Sequence, residues 1–216
     1  MVVNDSKTSG TETVQAWFAA EYLGNSDQGG TEFGQKGGVV HRLDKETSGV
    51  LVLARNAGAY ERLKQQFLER ETKKQYWALV HGIMKEKTGI LSKPIVRNPK
   101  SWGKFTVGEE LSRTAVTEWR VKDEFSQPDK VSEVDLLPLT GRTHQLRVHL
   151  QFLGHPIVGD NLYLGKRRLE ADRGWCPRMC LHASRLEIKH PTDNRTMEFT
   201  AVLPADLEEI RAKLVH

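Results

Sequence analysis

Apolar positions along the chain change period several times, and the changes mark out its elements. Near the start a short stretch, Thr13-Val14-Gln15-Ala16-Trp17-Phe18, opens a helix within otherwise irregular polar sequence, and Gly24 to Gly38 reads as a flexible loop. Val50-Leu51-Val52-Leu53-Ala54 is apolar without interruption, the pattern of a buried strand, and Thr47-Ser48-Gly49 makes the turn that leads into it. Asn56 is placed to cap the next segment, where Tyr60, Leu63, Phe67 and Leu68 recur at helical spacing while Glu61, Arg62, Lys64 and Gln65 fill the other face. Period two takes over at Gln75 to Val80. It sends Tyr76, Ala78 and Val80 to one face of a strand and Trp77 and Leu79 to the other, with a stop near Gly82.

Shorter strands are expected at Thr114 to Val121, Val131 to Leu137, Leu181 to Ile188 and Thr196 to Val202, and a last helix at Ala205 to Leu214. Between them, Thr143 to Leu153 carries Leu146, Leu150 and Leu153 on one helical stripe and His144, Arg147 and Gln151 on a polar one, with Gly154 as its C-terminal cap and Pro156 just beyond. Many short strands with a few interspersed helices, and no steady strand-helix alternation, point to a single α+β domain. Within it, residues 1–37 form an irregular N-terminal segment with a short helix and residues 38–216 the body of the domain.

Composition narrows the class. A 216-residue chain with 38% hydrophobic residues is able to bury a core by itself. It lacks an apolar run of the roughly 20 residues a membrane helix needs and a signal segment after Met1. A soluble intracellular protein is expected, in the cytoplasm ahead of an organelle or the nucleus, acting as a monomer with no membrane partner. Cys176 and Cys180 form one C-x3-C pair, too few ligands for a structural zinc site, and read as reduced thiols near a strand. The net charge is +4, with basic residues clustered at Lys73-Lys74, through Lys93, Arg97, Lys100 and Lys104, and at Lys166-Arg167-Arg168. A polyanion such as RNA suits that distribution, although any one cluster also reads as a solvated face.

Two constellations hold candidate chemistry. Asp44 stands in a basic pentad, His41 to Lys45, beside apolar sequence, where a partly buried carboxylate needs a cationic partner; a surface ion pair or a turn-forming Asp is the plainer alternative. Thr140-Gly141-Arg142-Thr143-His144-Gln145-Leu146-Arg147-Val148-His149 gathers guanidinium and imidazole groups on a loop and the start of a helix, either an anion site or a solvated polar face.

Together these segments resemble one family. His41-Arg42-Leu43-Asp44-Lys45-Glu46-Thr47-Ser48-Gly49 is similar to the H-R-L-D-x-x-T-S-G motif of the RluA-type RNA pseudouridine synthases. Lys74 to Gly82 resembles that family's K-x-Y-x-A-L-V-x-G strand, and Gly141 to Leu150 its G-R-T-H-Q-L-R-V-H-L segment. Gly154-His155-Pro156-Ile157-Val158-Gly159-Asp160 and Leu181-His182-Ala183-Ser184-Arg185-Leu186 extend the likeness, which runs in order from Gly38 to the C-terminus. Several long motifs in the right order are far more specific than a lone short pattern.

The resemblance implies a catalytic domain built on a central mixed, largely antiparallel sheet flanked by helices, and an isomerase that converts uridine to pseudouridine in structured RNA, ribosomal or transfer. It implies Asp44 as the catalytic residue, Arg147 as its cationic partner and Tyr76 as the ring against the target base, with Arg42 entering the RNA helix where that base has left. His41, Thr47, Arg142, His144, Gln145 and Leu181 join Arg42 as substrate-binding candidates. The reaction moves the uracil from a nitrogen to a carbon bond on the same sugar, so no metal or other cofactor is called for. Whether Asp44 adds covalently or abstracts a sugar proton stays open.

Departures from the family pattern sit at the start. Its Asn-Lys-Pro segment is represented only by Val2-Val3-Asn4-Asp5-Ser6, leaving a sheet edge without its first strand, and no separate amino-terminal RNA-binding domain is seen. The chief competing reading is a catalytically impaired RNA-binding protein that keeps the fold. A glycoside hydrolase lacks a second acid in a matching motif, and His144, His149 and His155 lack the i, i+4 spacing of paired metal ligands on a helix.

Overall fold

The computed structural model describes residues 3, 12–23, 30–110 and 114–216. In chain order the elements are α1 (Val14–Phe18), which runs into a π-helical turn (Ala19–Leu23), α2 (Glu32–Lys36), β1 (Ser48–Gly49), α3 (Ala57–Leu68), β2 (Lys73–His81), β3 (Thr88–Arg97), β4 (Phe105–Val107), β5 (Thr114–Phe125), β6 (Val131–Pro138), α4 (Gln145–Phe152), α5 (Lys166–Asp172), β7 (Leu181–Lys189), β8 (Thr196–Thr200) and α6 (Ala205–Ala212). The strands form a mixed eight-stranded sheet ordered β1-β7-β2-β6-β5-β3-β4, with β8 also paired to β7. β2, β6, β5, β3 and β4 pair antiparallel in turn, and β1 lies parallel to β7. This is the α+β arrangement expected.

Contacts group the chain into two compact units, one of residues 1–45, 50–73 and 186–200, the other of residues 46–49, 74–185 and 201–216. In the first, Phe33, Ala54, Tyr60, Leu63, Leu186 and Ile188 form the buried cluster. Asn56 caps α3 as anticipated, its side chain accepting from the Ala59 N–H at 2.8 Å, and Tyr60 and Leu63 face inward while Leu68, on the last turn, is exposed. In the second, Leu79 and Val80 are both fully buried, so β2 is covered on both faces. α4 ends as its glycine suggested: Gly154 sits at φ 83, its N–H reaches Gln151 O and that of His155 reaches Leu150 O, a Schellman closure.

The structure differs from the sequence reading in several places. Within the expected loop, Glu32–Lys36 is helical because the Thr31 hydroxyl caps it and Gly37, at φ 53, closes it; residues 24–29 of that loop, and the Asn4-Asp5-Ser6 segment, lie outside the described residues. Val50 to Ala54 is not a regular strand. Leu53 makes a single bridge to Val39, the Val52 N–H is taken by the His41 ring and the Ala54 N–H by Gly38 O, so these two groups are satisfied without a ladder. β3 and α5 had no counterpart in the apolar pattern because they are largely exposed and carry basic residues, and β4, three half-buried residues, is too short to show a period. Arg147, placed on a polar stripe by the helical period, is buried together with its neighbours Gln145 to Leu150.

Candidate active site

In the first unit the segment carrying Asp44 has no regular hydrogen-bonded structure and is held by side chains. The His41 Nε2 atom accepts the Val52 N–H at 3.0 Å, and its ring stacks on Phe67 with centroids 4.6 Å apart. Leu43 is buried, Arg42 is exposed and Asp44 is half-buried. Alternating burial therefore presents the carboxylate from a backbone anchored on either side.

Lys45 ends that segment of the first unit, and Glu46, the first residue of the second unit's short segment, leads through the same turn into β1. Ser48 and Gly49 register with His182 and Ala183 of β7. Gly49 sits at φ 119, and a Cβ there would lie 2.2 Å from the Ala183 carbonyl oxygen, so only glycine lets the strands approach this closely. The Thr47 hydroxyl is buried with no hydrogen-bond partner among the described residues.

The same unit holds Arg147 in a fixed orientation. Its Nε and one terminal nitrogen donate to the two Asp160 carboxylate oxygens at 2.8 and 2.7 Å, and its guanidinium carbon lies 5.0 Å from the centroid of the Tyr163 ring. Asp160 is fully buried and also accepts the N–H groups of Leu162 and Tyr163. This carboxylate is satisfied on all sides, which offsets the cost of burying the pair. The bidentate contact uses one edge of the guanidinium, and the other terminal nitrogen lies outside it.

The loop ahead of α4 is organised by Gln145. Its carbonyl accepts from the Thr140 hydroxyl and the Arg142 N–H, and its amide nitrogen donates to Val116 O and the Thr117 hydroxyl. His144 adopts φ 54 and its Nδ1 lies 2.8 Å from the Tyr163 hydroxyl, which also accepts the Phe105 N–H at 3.0 Å. Arg142 stays exposed at the tip. On β2, Tyr76 registers with Leu136 and is half-buried, while Trp77, on the opposite face, registers with Asp135.

The order and chemistry of these segments agree with a family description: a model of RNA pseudouridylate synthases matches residues 7–152. The chain belongs to that family. It is 43% identical over 167 residues to a dual-specificity RNA pseudouridine synthase, RluA, of Escherichia coli K12, covering 77% of this chain and 73% of the relative. Among solved structures it is similar to the human RNA pseudouridylate synthase domain containing 1, at 35% identity and a TM-score of 0.69 over 82% of this chain and 73% of that one. The human domain-containing 4 protein follows at 29% and 0.65, covering 81% and 74%. The family match begins well ahead of Gly38, where the motifs began.

Among the candidates of this family member, His41, Arg42 and Asp44 lie in the first unit, and Thr47, Tyr76, Arg142, His144, Gln145, Arg147 and Leu181 in the second. There the structure brings Arg142, His144, Gln145 and Arg147 together around the start of α4. Two candidates have structural duties instead. The Gln145 amide is fully used within the protein, and Leu181, 3% exposed, belongs to the core. Asp160 and Tyr163 had no assigned role, although an aspartate in a Gly-Asp pair a short way beyond an arginine-bearing helix is the available signal.

His149 and His155 are engaged by hydrogen bonds, the former with Thr117 and Lys93 O, the latter with His81 O. Burial lowers the His149 pKa from its usual range. Among the described residues, donor atoms of His81, Asp129 and Asp172 lie within 4.8 Å of one another. The imidazole Nδ1 faces Asp129 at 3.2 Å and Nε2 faces Asp172 at 3.0 Å, on different edges of the ring, so one ion is unable to take both nitrogens. That trio is a hydrogen-bonded clamp by geometry. No helix among the described residues is long and apolar enough to cross a membrane.

Proposed function

We propose that this synthase isomerises uridine to pseudouridine in structured RNA, ribosomal or transfer, with Asp44 as the catalytic carboxylate, Arg147 as its cationic partner and Tyr76 as the ring against the target base. The single observation that carries the reading is the His41–Gly49 motif, with its carboxylate half-buried between an anchored Leu43 and a tightly registered β1. Arg147, oriented by Asp160, is preorganised to face an anion. The exposed Arg42 is able to fill the stack that a flipped base leaves, and a stacking tyrosine offsets an extrusion cost of a few kcal/mol. In the reaction the bond from uracil N1 to the sugar breaks, the ring turns, and a bond from C5 forms. The C5 proton is lost and N1 gains one, so the atoms balance with solvent as the proton carrier.

The RNA partner is supported by the turn between β3 and β4, where Lys100 and Lys104 flank Trp102, an indole 96% exposed and so available to a base. Lys73, by contrast, is paired with Glu187. We take residues 38–216 as the catalytic domain, with residues 1–37 as its N-terminal segment. The free thiols of Cys176 and Cys180 suit a reducing compartment, in keeping with a cytoplasmic monomer. Release of tritium from RNA labelled at uridine C5 tests the activity: wild-type protein releases one tritium per pseudouridine formed. RNA binding without release would favour the second reading, an RNA-binding protein that keeps the fold without turnover.

A further inference from the structure

We propose that Arg178 is a positioning residue of this active site, fixing the Glu46–Ser48 turn and, through two residues of chain, the carboxylate of Asp44. The proposal rests on the reading of Asp44 above. One edge of the Arg178 guanidinium is clamped by the Asp206 carboxylate, with a terminal nitrogen 2.9 Å from Oδ1 and Nε on Oδ2. The terminal nitrogens also approach the Glu46 carbonyl at 3.4 Å and the Ser48 hydroxyl at 3.5 Å. The backbone of Arg178 is itself confined. Its carbonyl accepts the Cys176 thiol at 2.9 Å, and a Cβ added to Gly159 would lie 2.3 Å from the same oxygen.

The contacts around Ser48 have a definite direction. His182 Nε2 lies 3.1 Å from Ala201 O, which only accepts, so that nitrogen carries the hydrogen. Nδ1 then accepts the Ser48 O–H at 2.9 Å, turning the hydroxyl lone pairs toward Arg178. Burial, followed by the Arg178 charge, lowers the His182 pKa and keeps the ring in this neutral form. Glu46 is held separately by the Asn161 amide at 3.0 Å, and Gly49 has no room to shift against Ala183. Glu46 and Ser48, at the two ends of the turn, are thus tied at different atoms. Two residues of chain span at most about 7 Å, so displacement at Glu46 reaches Asp44 with little attenuation. Arg178 is poorly disposed as a phosphate contact, because Asp206 already neutralises its charge.

The test compares Arg178→Ala, Arg178→Lys, Asp206→Asn and Ser48→Ala with Asp44→Asn in the full chain, reading tritium release in single turnovers at saturating RNA and RNA Kd separately. Arg178→Ala is expected to slow the saturated rate about 100-fold, the scale of a 1 Å misplacement, with Kd changed less than about twofold. Arg178→Lys recovers only part, since an ammonium is unable to hold Asp206 in bidentate fashion while reaching the turn. Asp206→Asn and Ser48→Ala give smaller losses of the same kind and decide the matter if Arg178→Ala fails to fold. A folded Arg178→Ala protein at wild-type rate overturns the proposal. So does a weaker Kd with an unchanged saturated rate, and so, if that variant does not fold, do full rates in both of the others. Turnover retained by Asp44→Asn would instead defeat the reading of Asp44, whereas an inactive Asp44→Asn beside a fully active Arg178→Ala defeats the positioning role alone.

Discussion

Around Asp44 the backbone makes few regular hydrogen bonds and borrows its order from the His41 imidazole, the buried Leu43 and the β1 register, leaving the carboxylate half-buried. Around Arg147 the order is intrinsic: a capped helix, burial from Gln145 to Leu150, and a guanidinium fastened by a fully buried Asp160. The difference follows from what each charge does. A carboxylate proposed to meet substrate has to keep one face available, and its neighbours bear the positioning. A buried cation has to be paired to exist there at all, so the partner that stabilises it also orients it. Changes in the Asp44 segment should therefore separate activity from stability, and changes at the Arg147–Asp160 pair should not.

The largest expected effect tests the first half of that contrast. Asp44→Asn keeps the shape and removes the charge, and it is expected to lower turnover at least about 10⁴-fold, roughly 5 kcal/mol of transition-state stabilisation, with melting temperature and RNA affinity nearly unchanged. Activity within tenfold of wild type would remove Asp44 from the chemistry.

At the pair the two quantities should fall together. Asp160→Asn strands a buried guanidinium and is expected to cost about 3 to 5 kcal/mol of stability in urea titrations, while Arg147→Met costs about 2 to 5 kcal/mol in turnover. If Asp160→Asn unfolds at the wild-type midpoint, or if Arg147→Met weakens only RNA affinity and its salt dependence, the pair is not the preorganised cation described here.

Tyr76 lies between these extremes, half-buried where β2 passes from the exposed Lys73 to the buried run from Trp77 to His81. Stacking of about 1 to 3 kcal/mol per base resides in the ring, so Tyr76→Phe should keep RNA binding and Tyr76→Ala should lose it. Single-turnover time courses add the second reading: a slowed late step in the Phe variant gives the hydroxyl a part in removing the C5 proton, and an unaffected Ala variant takes Tyr76 out of the site.

The smallest effect concerns acid. His149 of α4 and His182 of β7 both have pKa values lowered from 6.5, by burial first. As pH falls below about 6.5 the unfolded chain binds these protons before the folded one does, so the stability present at higher pH is progressively lost toward the folded-state values. His149→Gln should flatten that acid-side slope in urea midpoints measured across pH 6.5, without altering Asp44-dependent turnover at neutral pH.

Much of the fold was legible because its signals are local. The Asn56 cap, the helical spacing of Tyr60 and Leu63, the strand at β2 and the closing Gly154 each depend on residues a few positions apart, and each appears where the pattern placed it, although β2 is buried on both faces from Trp77 to His81 instead of alternating. Val50 to Ala54 misled for the complementary reason: apolar content reports burial, whereas a strand also needs a partner ladder, and here His41 and Gly38 take the N–H groups. β3 stayed hidden because a largely exposed strand carries little apolar signal, and β4 because three residues are too few to show a period.

The candidate site divides along the same line. By itself the sequence determined the candidate groups and their order, the carboxylate of Asp44, the ring of Tyr76 and the guanidinium of Arg147, and the family whose motifs they complete. Only the tertiary structure decided that Arg147 is buried on Asp160, that Gln145 spends its amide on the Arg142 loop, and that Arg178 meets Asp206 and the Glu46–Ser48 turn. A buried charge or amide must find a partner of matching geometry, and which one it finds depends on segments far apart in the chain, beyond the reach of any local pattern.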